Sequence, residues 1–267
     1  MDWMVDGLVG GVAGWVAVAS GFGIGAIVGM TGVGGGSLMT PLLIGVFKLS
    51  PPMAIGTDLW FAAVTKSGGA WAHHRHGPVD YRIAGLLLAG SLPMSLMTIA
   101  LMHATGVTKG WFSAITLTLG VGLLLTDVTV AYRSAWHRVG LRLERWLPAR
   151  RQAIFTVVAG ALLGALVSIS SIGSGAVGAT LILLLYPRIS AQRLVGTDIA
   201  HAVPLTLVAG IGHATLGHIA WGLLPMLLIG SLPGIWLGAR LTKSMPDRAV
   251  RLLLCLSLVA AGLRVIL

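Results

Sequence analysis

Long apolar stretches separated by short polar loops follow one another along the sequence. They lie at 8–30, 37–48, 52–73, 83–104, 110–131, 153–172, 175–187, 194–214, 221–240 and 249–266. A transmembrane helix needs about 20 consecutive apolar residues, and most of these stretches reach that length. The stretches at 37–48 and 175–187 are too short to span a bilayer comfortably. The pattern predicts an all-α polytopic membrane protein with about 8–10 transmembrane segments.

The second half of the sequence repeats the first in the same order. Gly25-Ala26-Ile27-Val28 returns as Gly164-Ala165-Leu166-Val167, Gly56-Thr57-Asp58 as Gly196-Thr197-Asp198, and Gly90-Ser91-Leu92-Pro93 as Gly230-Ser231-Leu232-Pro233. His73 is matched by His213. We therefore predict two transmembrane repeats of five segments each, at 1–131 and 153–267, joined by a basic linker at 132–152.

The distribution of basic residues predicts how the two repeats are oriented. The linker at 132–152 is rich in arginine, and the positive-inside rule places it in the cytoplasm. If all five segments of each repeat cross the bilayer, most of the other Lys and Arg residues also lie inside. If two segments form a single crossing, the basic residues divide almost equally between the two sides. The first arrangement, with inverted repeats, is typical of secondary transporters.

Composition narrows the class of protein further. Hydrophobic residues make up 56% of the 267 residues and charged residues only 10%, whereas soluble domains carry roughly 25% charged residues. This excludes a soluble domain, a disordered chain and a nucleic-acid module, despite the net charge of +10. The single cysteine, Cys255, forms no intrachain disulfide. We expect an integral protein of a bacterial plasma membrane, with the lipid bilayer and a small substrate as partners. We expect no cofactor, no metal and no nucleic acid.

A cluster of small residues interrupts the apolar pattern at the same place in each repeat. Such paired interruptions are the best sequence indication of a transporter's binding site, because non-helical backbone at membrane depth must be buried or line a cavity. The short helix after each break aims free N–H groups at it, which favours an anion. The alternative is close packing of helices on glycine. The candidate substrate-binding residues are Thr31, Gly34, Gly35, Gly36 and Ser37 in the first repeat, and Ser170, Ser171, Gly173, Ser174 and Gly175 in the second.

The Gly-Thr-Asp sequences place a carboxyl group inside a membrane helix twice. Ser50 and Ser190 are predicted N-caps, so Asp58 and Asp198 lie about two turns into their helices. Ionisable groups at such positions are costly and indicate function, although an Asp can also hydrogen-bond backbone near a loop. Histidine titrates near neutral pH, so proton transfer is one hypothesis and a structural histidine the other. The candidates for proton or substrate gating are Thr57, Asp58, Thr197, Asp198, His73, His213 and His201.

Lys66 is the basic residue predicted in the middle of the membrane. It lies eight residues after Asp58, about 12 Å along a helix, so the two cannot pair directly. Its counterpart in the second repeat is Thr206. Lys66 therefore needs a partner on another helix, water or an anionic substrate, unless its side chain extends to the membrane surface. We include Lys66 among the substrate-binding candidates.

Several of these motifs together resemble one family. They are Gly29-Met30-Thr31-Gly32-Val33-Gly34-Gly35-Gly36 followed by Pro41, the Gly-Thr-Asp element, and His73 before Gly77-Pro78-Val79-Asp80-Tyr81. In this combination and order the chain resembles the TauE/SafE sulfite-exporter family over nearly its whole length. The resemblance implies an integral membrane anion permease with a duplicated core, acting on sulfite, sulfoacetate or another organosulfur anion. The second repeat departs from the pattern, with Ser171 and Ser174 in place of glycines and Thr180 in place of the proline.

The sequence features and the family resemblance together predict a secondary transporter and not an enzyme. We expect it to export sulfite or an organosulfonate by alternating access around the paired breaks. Other functions stay open: an anion channel, an uptake permease for another small anion, and a membrane scaffold that transports nothing. The sequence leaves the coupling ion and the oligomeric state undetermined.

Overall fold

The computed structural model describes residues 12–31, 36–73, 78–106 and 109–241. These residues form ten α-helices and no strand. The helices are α1 (Val12–Thr31), α2 (Gly36–Gly45), α3 (Pro51–His73), α4 (Tyr81–Thr105), α5 (Lys109–Ala131), α6 (Arg133–Glu144), α7 (Ala149–Ser170), α8 (Ala176–Leu185), α9 (Ala191–Thr215) and α10 (Leu224–Leu241). The all-helical fold predicted from the apolar pattern is confirmed.

The helix boundaries follow local signals in the sequence. Helix α3 begins at Pro51, a residue favoured at the first helical position because a missing N–H costs nothing there. Ser190 caps α9 as predicted, accepting a hydrogen bond from the N–H of Arg193 at 3.4 Å. The predicted segment at 249–266 lies outside the described residues, as does Cys255.

The outside of the molecule is apolar, as a lipid-facing surface must be. Large aliphatic side chains such as Leu96, Leu117 and Leu162 are more than half exposed. Three helices in the described part are long and apolar enough to cross a membrane: Tyr81–Thr105, Arg150–Ser170 and Ala191–Thr215. Shorter apolar helices, including Ala176–Leu185, accompany them. The chain is therefore a helical membrane protein, and the full number of spans stays a prediction.

Two close helix pairs join the halves of the molecule. Helix α1 packs on α10, where a Cβ added to Gly25 would lie 2.4 Å from the Ser231 carbonyl oxygen. Helix α7 packs on α4 in the same way, since a Cβ on Gly164 would lie 2.3 Å from the Ser91 carbonyl oxygen. Only glycine permits backbones to approach this closely. Both contacts use positions that correspond in the sequence repeat, which favours a duplicated core. The inverted orientation stays a prediction.

The basic linker contains a helix that the apolar pattern did not reveal. Helix α6 occupies Arg133–Glu144 and docks on the turn between α8 and α9. His137 Nε2 lies 3.0 Å from the Pro187 carbonyl oxygen, and Arg188 forms an ion pair with Glu144 at 3.2 Å. These contacts order a segment whose charged sequence indicated only a polar linker. The division of the chain into two repeats and a linker stays a prediction.

Candidate functional site

The predicted break in the second repeat lies between α7 and α8, at residues 171–175. Ser171 ends α7 in a left-handed conformation, with φ 59°, and its N–H donates to the Val167 carbonyl at 2.8 Å. Such a conformation costs a non-glycine residue about 1–3 kcal/mol, whereas Gly173, at φ 118°, avoids the clash that a Cβ brings there. The chain therefore holds a strained turn at this place instead of a continuous helix.

The break in the first repeat is described only at its borders. Helix α1 ends at Thr31 and α2 begins at Gly36, and residues 32–35 between them are outside the described part. The candidates Gly34 and Gly35 therefore lie outside it. Ser37, in the first turn of α2, is buried.

Lys66 on α3 reaches the break of the second repeat. Its side chain is 3% exposed, so it does not extend to the membrane surface. The ammonium donates to the backbone carbonyl of Ser174 and lies 3.3 Å from the Ser174 hydroxyl. From the sequence, Lys66 was expected to need a partner on another helix, water or a substrate. In the structure its partner is the non-helical backbone that follows α7. Lys66 makes no salt bridge in the described part of the chain.

Asp58, also on α3, lies at the other side of the same break. Its carboxyl is fully buried, and Oδ2 accepts a hydrogen bond of 2.5 Å from the hydroxyl of Thr40 on α2. The side chain of Ser171 faces this carboxyl. Asp58 Oδ1 and Ser171 Oγ nevertheless have no hydrogen-bond partner of normal geometry among the described residues. Asp58 and Lys66 thus flank residues 171–175 from one helix.

Asp198 on α9 lies against the start of the short helix that follows the break. A Cβ added to Gly178 on α8 would be 2.7 Å from Asp198 Oδ1, so the carboxyl rests directly on the helix backbone. Asp198 is 2% exposed, and Oδ1 has no hydrogen-bond partner in the described residues. Its carboxyl interacts electrostatically with the ammonium of Lys66. Three charged side chains therefore converge on one break.

A small polar cavity lies against the same break. It has room for about one water molecule. Its walls come from α2, α5 and the break: Ser37, Thr126, Ser171, Gly173, Ser174, Gly175 and Ala176. The cavity brings candidate residues of both repeats together, with hydroxyl groups and backbone at its surface. In this conformation a larger anion would need these walls to move apart.

The threonines of the two Gly-Thr-Asp sequences do not reach the cavity and instead tie the two halves together. The Thr57 hydroxyl accepts a hydrogen bond from the N–H of Ala220 at 2.9 Å. The Thr197 hydroxyl accepts one from the N–H of Asp80, also at 2.9 Å. Each hydroxyl also donates to the carbonyl four residues earlier in its own helix. Two equivalent threonines thus fasten each half to a loop of the other.

Two of the candidate histidines are hydrogen-bonded within the protein in this conformation. His201 and His213 are fully buried. His201 Nε2 lies 3.0 Å from the hydroxyl of Ser91, and His213 Nε2 lies 2.9 Å from the Ser168 carbonyl oxygen. His73 is the last residue of α3, and its side chain is not among those that the structure describes. The hypothesis that these histidines transfer protons therefore stays a prediction.

Several residues of the site escaped the sequence analysis. Thr40 holds Asp58, Gly178 supports Asp198, and Thr126 lines the cavity. A lone threonine or glycine in an apolar helix carries no signal of its own. Ser91 is different, because it belongs to the repeated Gly-Ser-Leu-Pro sequence and hydrogen-bonds His201. That repeat was used only to align the two halves.

The comparisons with known proteins agree with this architecture. The family model described as "Sulfite exporter TauE/SafE" matches residues 5–265. The chain belongs to the TauE/SafE family. The chain is 34% identical to the "Probable membrane transporter protein YjnA" of Bacillus subtilis (strain 168) over 93% of its length and 98% of that protein. It is 26% identical to "Probable membrane transporter protein YdhB" of the same organism, over 91% and 96%. No solved structure matches.

Membership of the TauE/SafE family makes this protein a membrane transporter. This confirms the transporter class predicted from the paired breaks, and it confirms an integral membrane location. The bacterial relatives are consistent with a bacterial plasma membrane. A transporter family is also consistent with the expectation that the protein is not an enzyme.

Proposed function

We propose that this TauE/SafE transporter is a secondary permease for a small sulfur-containing anion, exporting sulfite or an organosulfonate such as sulfoacetate. The observation that carries the proposal is Lys66, a buried ammonium at the break between two helices. An ammonium has three donors, and Ser174 is its hydrogen-bonding residue in the described part of the chain. A donor therefore remains for an anion. The family name supports the sulfur class.

The surroundings of Lys66 also favour a small oxyanion. The hydroxyls of Ser37, Ser171 and Ser174 line the cavity beside it, and each can donate a hydrogen bond. Helix α8 begins at Ala176, directly after the break, so its N-terminus contributes free N–H groups and a partial positive charge. Hydroxyl, amide and ammonium donors around one small space suit an oxyanion better than an apolar or cationic substrate.

Transport would follow from rearrangement of the two halves around the breaks. The cavity is closed to a sulfite-sized anion, and the Thr57 and Thr197 contacts join the halves at corresponding positions. Opening one contact while keeping the other would expose the cavity to one side at a time. For a monoanion moving alone, export is downhill by about 2.3 kcal/mol per 100 mV of inside-negative potential.

The test is the thermal stability of the purified protein with sulfite, sulfate, thiosulfate, sulfoacetate, acetate and chloride. A ligand that binds the folded state at 100 times its Kd stabilises it by about 2.7 kcal/mol. We expect a shift with sulfite or sulfoacetate that is lost in Lys66→Met and Ser174→Leu. Lys48→Met is the matched control, because it removes an exposed lysine. A sulfur-anion shift that survives Lys66→Met would contradict the assignment of the site.

Flux in proteoliposomes separates the remaining functions. An exporter and an uptake permease both move the anion that binds, and they differ in the direction of net movement in oriented vesicles. An anion channel would give bilayer currents far above the turnover of a transporter. A scaffold would give neither a thermal shift nor flux with any anion of the panel.

A further inference from the structure

We propose that Asp58 carries one proton into the site with each anion, while Asp198 stays ionised as the electrostatic partner of Lys66. The protein would then cotransport an anion and a proton. This inference rests on the proposed anion site at Lys66 and Ser174. It divides the buried carboxyl groups into one that exchanges a proton and one that does not.

The surroundings of Asp58 provide a place for the proton. Thr40 donates to Oδ2, which leaves Oδ1 as the free oxygen of the carboxyl group. The hydroxyl of Ser171 faces the same carboxyl and is itself without a partner of normal geometry. A proton on Oδ1 turns this oxygen into a donor, and the Ser171 hydroxyl oxygen can accept from it. Without that proton the Ser171 hydroxyl can donate to the carboxylate instead, so both protonation states allow the contact between α3 and the break.

The charges around Lys66 explain why one carboxyl group must be neutral when the anion binds. Two buried carboxyl groups, Asp58 and Asp198, face a single buried ammonium at this break. If Lys66 and Asp198 balance each other, the charge of an ionised Asp58 remains uncompensated. An incoming anion would meet this charge in a buried site where repulsion is weakly screened. Protonation of Asp58 removes the repulsion, so anion binding and proton binding favour each other.

The other described ionisable groups near α3 are the alternative carriers of the proton. The helices packed against α3 carry the following titratable or charged groups: Asp127 and Lys109 on α5, Arg193, Asp198, His201 and His213 on α9, and Arg240 on α10. Among the described charged groups, Lys66 acts electrostatically on the Asp58 carboxyl. His201 and His213 each use one ring nitrogen in a hydrogen bond, to Ser91 and Ser168 respectively.

Isothermal titration with sulfite, and separately with sulfoacetate, measures the coupled proton directly. Titrations in buffers of different ionisation enthalpy give the protons taken up per bound anion. Comparison with Asp58→Asn cancels any proton exchanged by the anion itself, since the same anion is used. We expect the wild type to take up about one proton more than Asp58→Asn. In the control Asp127→Asn, which removes a carboxyl group that does not line the cavity, the uptake is retained.

The outcomes separate this inference from the proposed function. Equal proton uptake in wild type and Asp58→Asn overturns the inference while the anion site stands. Loss of uptake in Asp127→Asn alone also overturns it. If no sulfur anion binds the wild type, the proposed function fails and the inference falls with it.

A measurement on the wild type alone covers the case in which Asp58→Asn does not fold. Proteoliposomes with a clamped membrane potential and an internal pH dye are given a sulfoacetate gradient. Cotransport moves protons in the same direction as sulfoacetate, and the flux is unchanged when sodium is replaced by potassium. Anion flux without proton movement, or flux that requires sodium, overturns the inference. One proton neutralises a monoanion such as hydrogen sulfite, whereas sulfoacetate, a dianion near neutral pH, still carries one negative charge, and the clamped potential holds this contribution constant.

Discussion

Gly56 and Gly196 occupy equivalent positions in the two Gly-Thr-Asp sequences, and we expect alanine to have opposite effects at them. A Cβ on Gly56 would lie 2.0 Å from the His218 carbonyl oxygen and 3.1 Å from the His213 Cβ. A Cβ on Gly196 would lie 3.3 Å from its nearest neighbour, the Pro78 carbonyl oxygen. The first position lacks room for a methyl group, whereas the second needs an adjustment of a few tenths of an ångström.

The magnitudes follow from these distances. Alanine in a helix interior is more favourable than glycine by about 0.5–1 kcal/mol. At Gly196 this gain survives, and Gly196→Ala should leave stability unchanged or raise it by up to about 1 kcal/mol. At Gly56 the loop must retreat by more than an ångström to reach ordinary contact. Such overpacking costs about 1–3 kcal/mol. The shift also stretches the bond from Ala220 to Thr57, which is worth about 1 kcal/mol.

Thermal unfolding of the two variants in detergent measures the difference. One kcal/mol corresponds to about 2–4 °C for a chain of 150–250 residues. Gly56→Ala should therefore unfold several degrees below wild type, and Gly196→Ala at or slightly above it. If Gly56→Ala is as stable as Gly196→Ala, the close approach of the loop to α3 is wrong. The anion-dependent shift of each variant, measured in the same way, reports whether the site survives.

Three further predictions concern the contacts around the site. Thr57→Val leaves the buried N–H of Ala220 without an acceptor, so it should destabilise the protein by about 1–3 kcal/mol in thermal unfolding. The control Thr206→Val should cost less, because the hydrogen bonds described for the Thr206 hydroxyl lie within its own helix. Arg193→Gln breaks a partly exposed ion pair with Asp80 and should cost less than about 1 kcal/mol, with a smaller effect in high salt. Burial, together with the nearby His103, lowers the pKa of His218, so folding favours its neutral form. The stability of the protein should therefore fall as the pH drops below about 6.5, the ordinary pKa of histidine. The melting temperature of His218→Gln should fall less over this range, and an equal fall would contradict the assignment.

The fold was predictable because its main signal is local. The apolar stretch at 52–73 became Pro51–His73, and the stretch at 83–104 became Tyr81–Thr105. In both cases apolar length and a capping signal fix the ends. Helix α6 shows the limit of this signal. Its charged sequence has no apolar stretch, and its order comes from docking, where a Cβ on Gly140 would lie 2.8 Å from the Leu184 carbonyl oxygen. Such a contact has no trace in the local pattern.

The site was predictable in its members but not in its contacts. Asp58, Asp198 and Lys66 stand out because charged residues are rare in apolar helices. Their partners are distant in the chain: Ser174 lies 108 residues from Lys66, and Thr40 lies 18 residues from Asp58. The sequence also grouped Thr57 with Asp58 as one element. The structure separates them, since the hydroxyl faces a loop and the carboxyl faces the break.

The symmetric and asymmetric parts of the molecule have different physical tasks. The Gly25 and Gly164 contacts correspond between the halves, as do the Thr57 and Thr197 contacts. A structure with two equivalent arrangements can exchange them at little cost, which alternating access requires. The centre departs from this symmetry, because Lys66 has a neutral counterpart in Thr206. A single cation at one break gives a single charged site for the substrate. On the proposed mechanism, duplication accounts for the movement, and divergence at the break accounts for the choice of an anion.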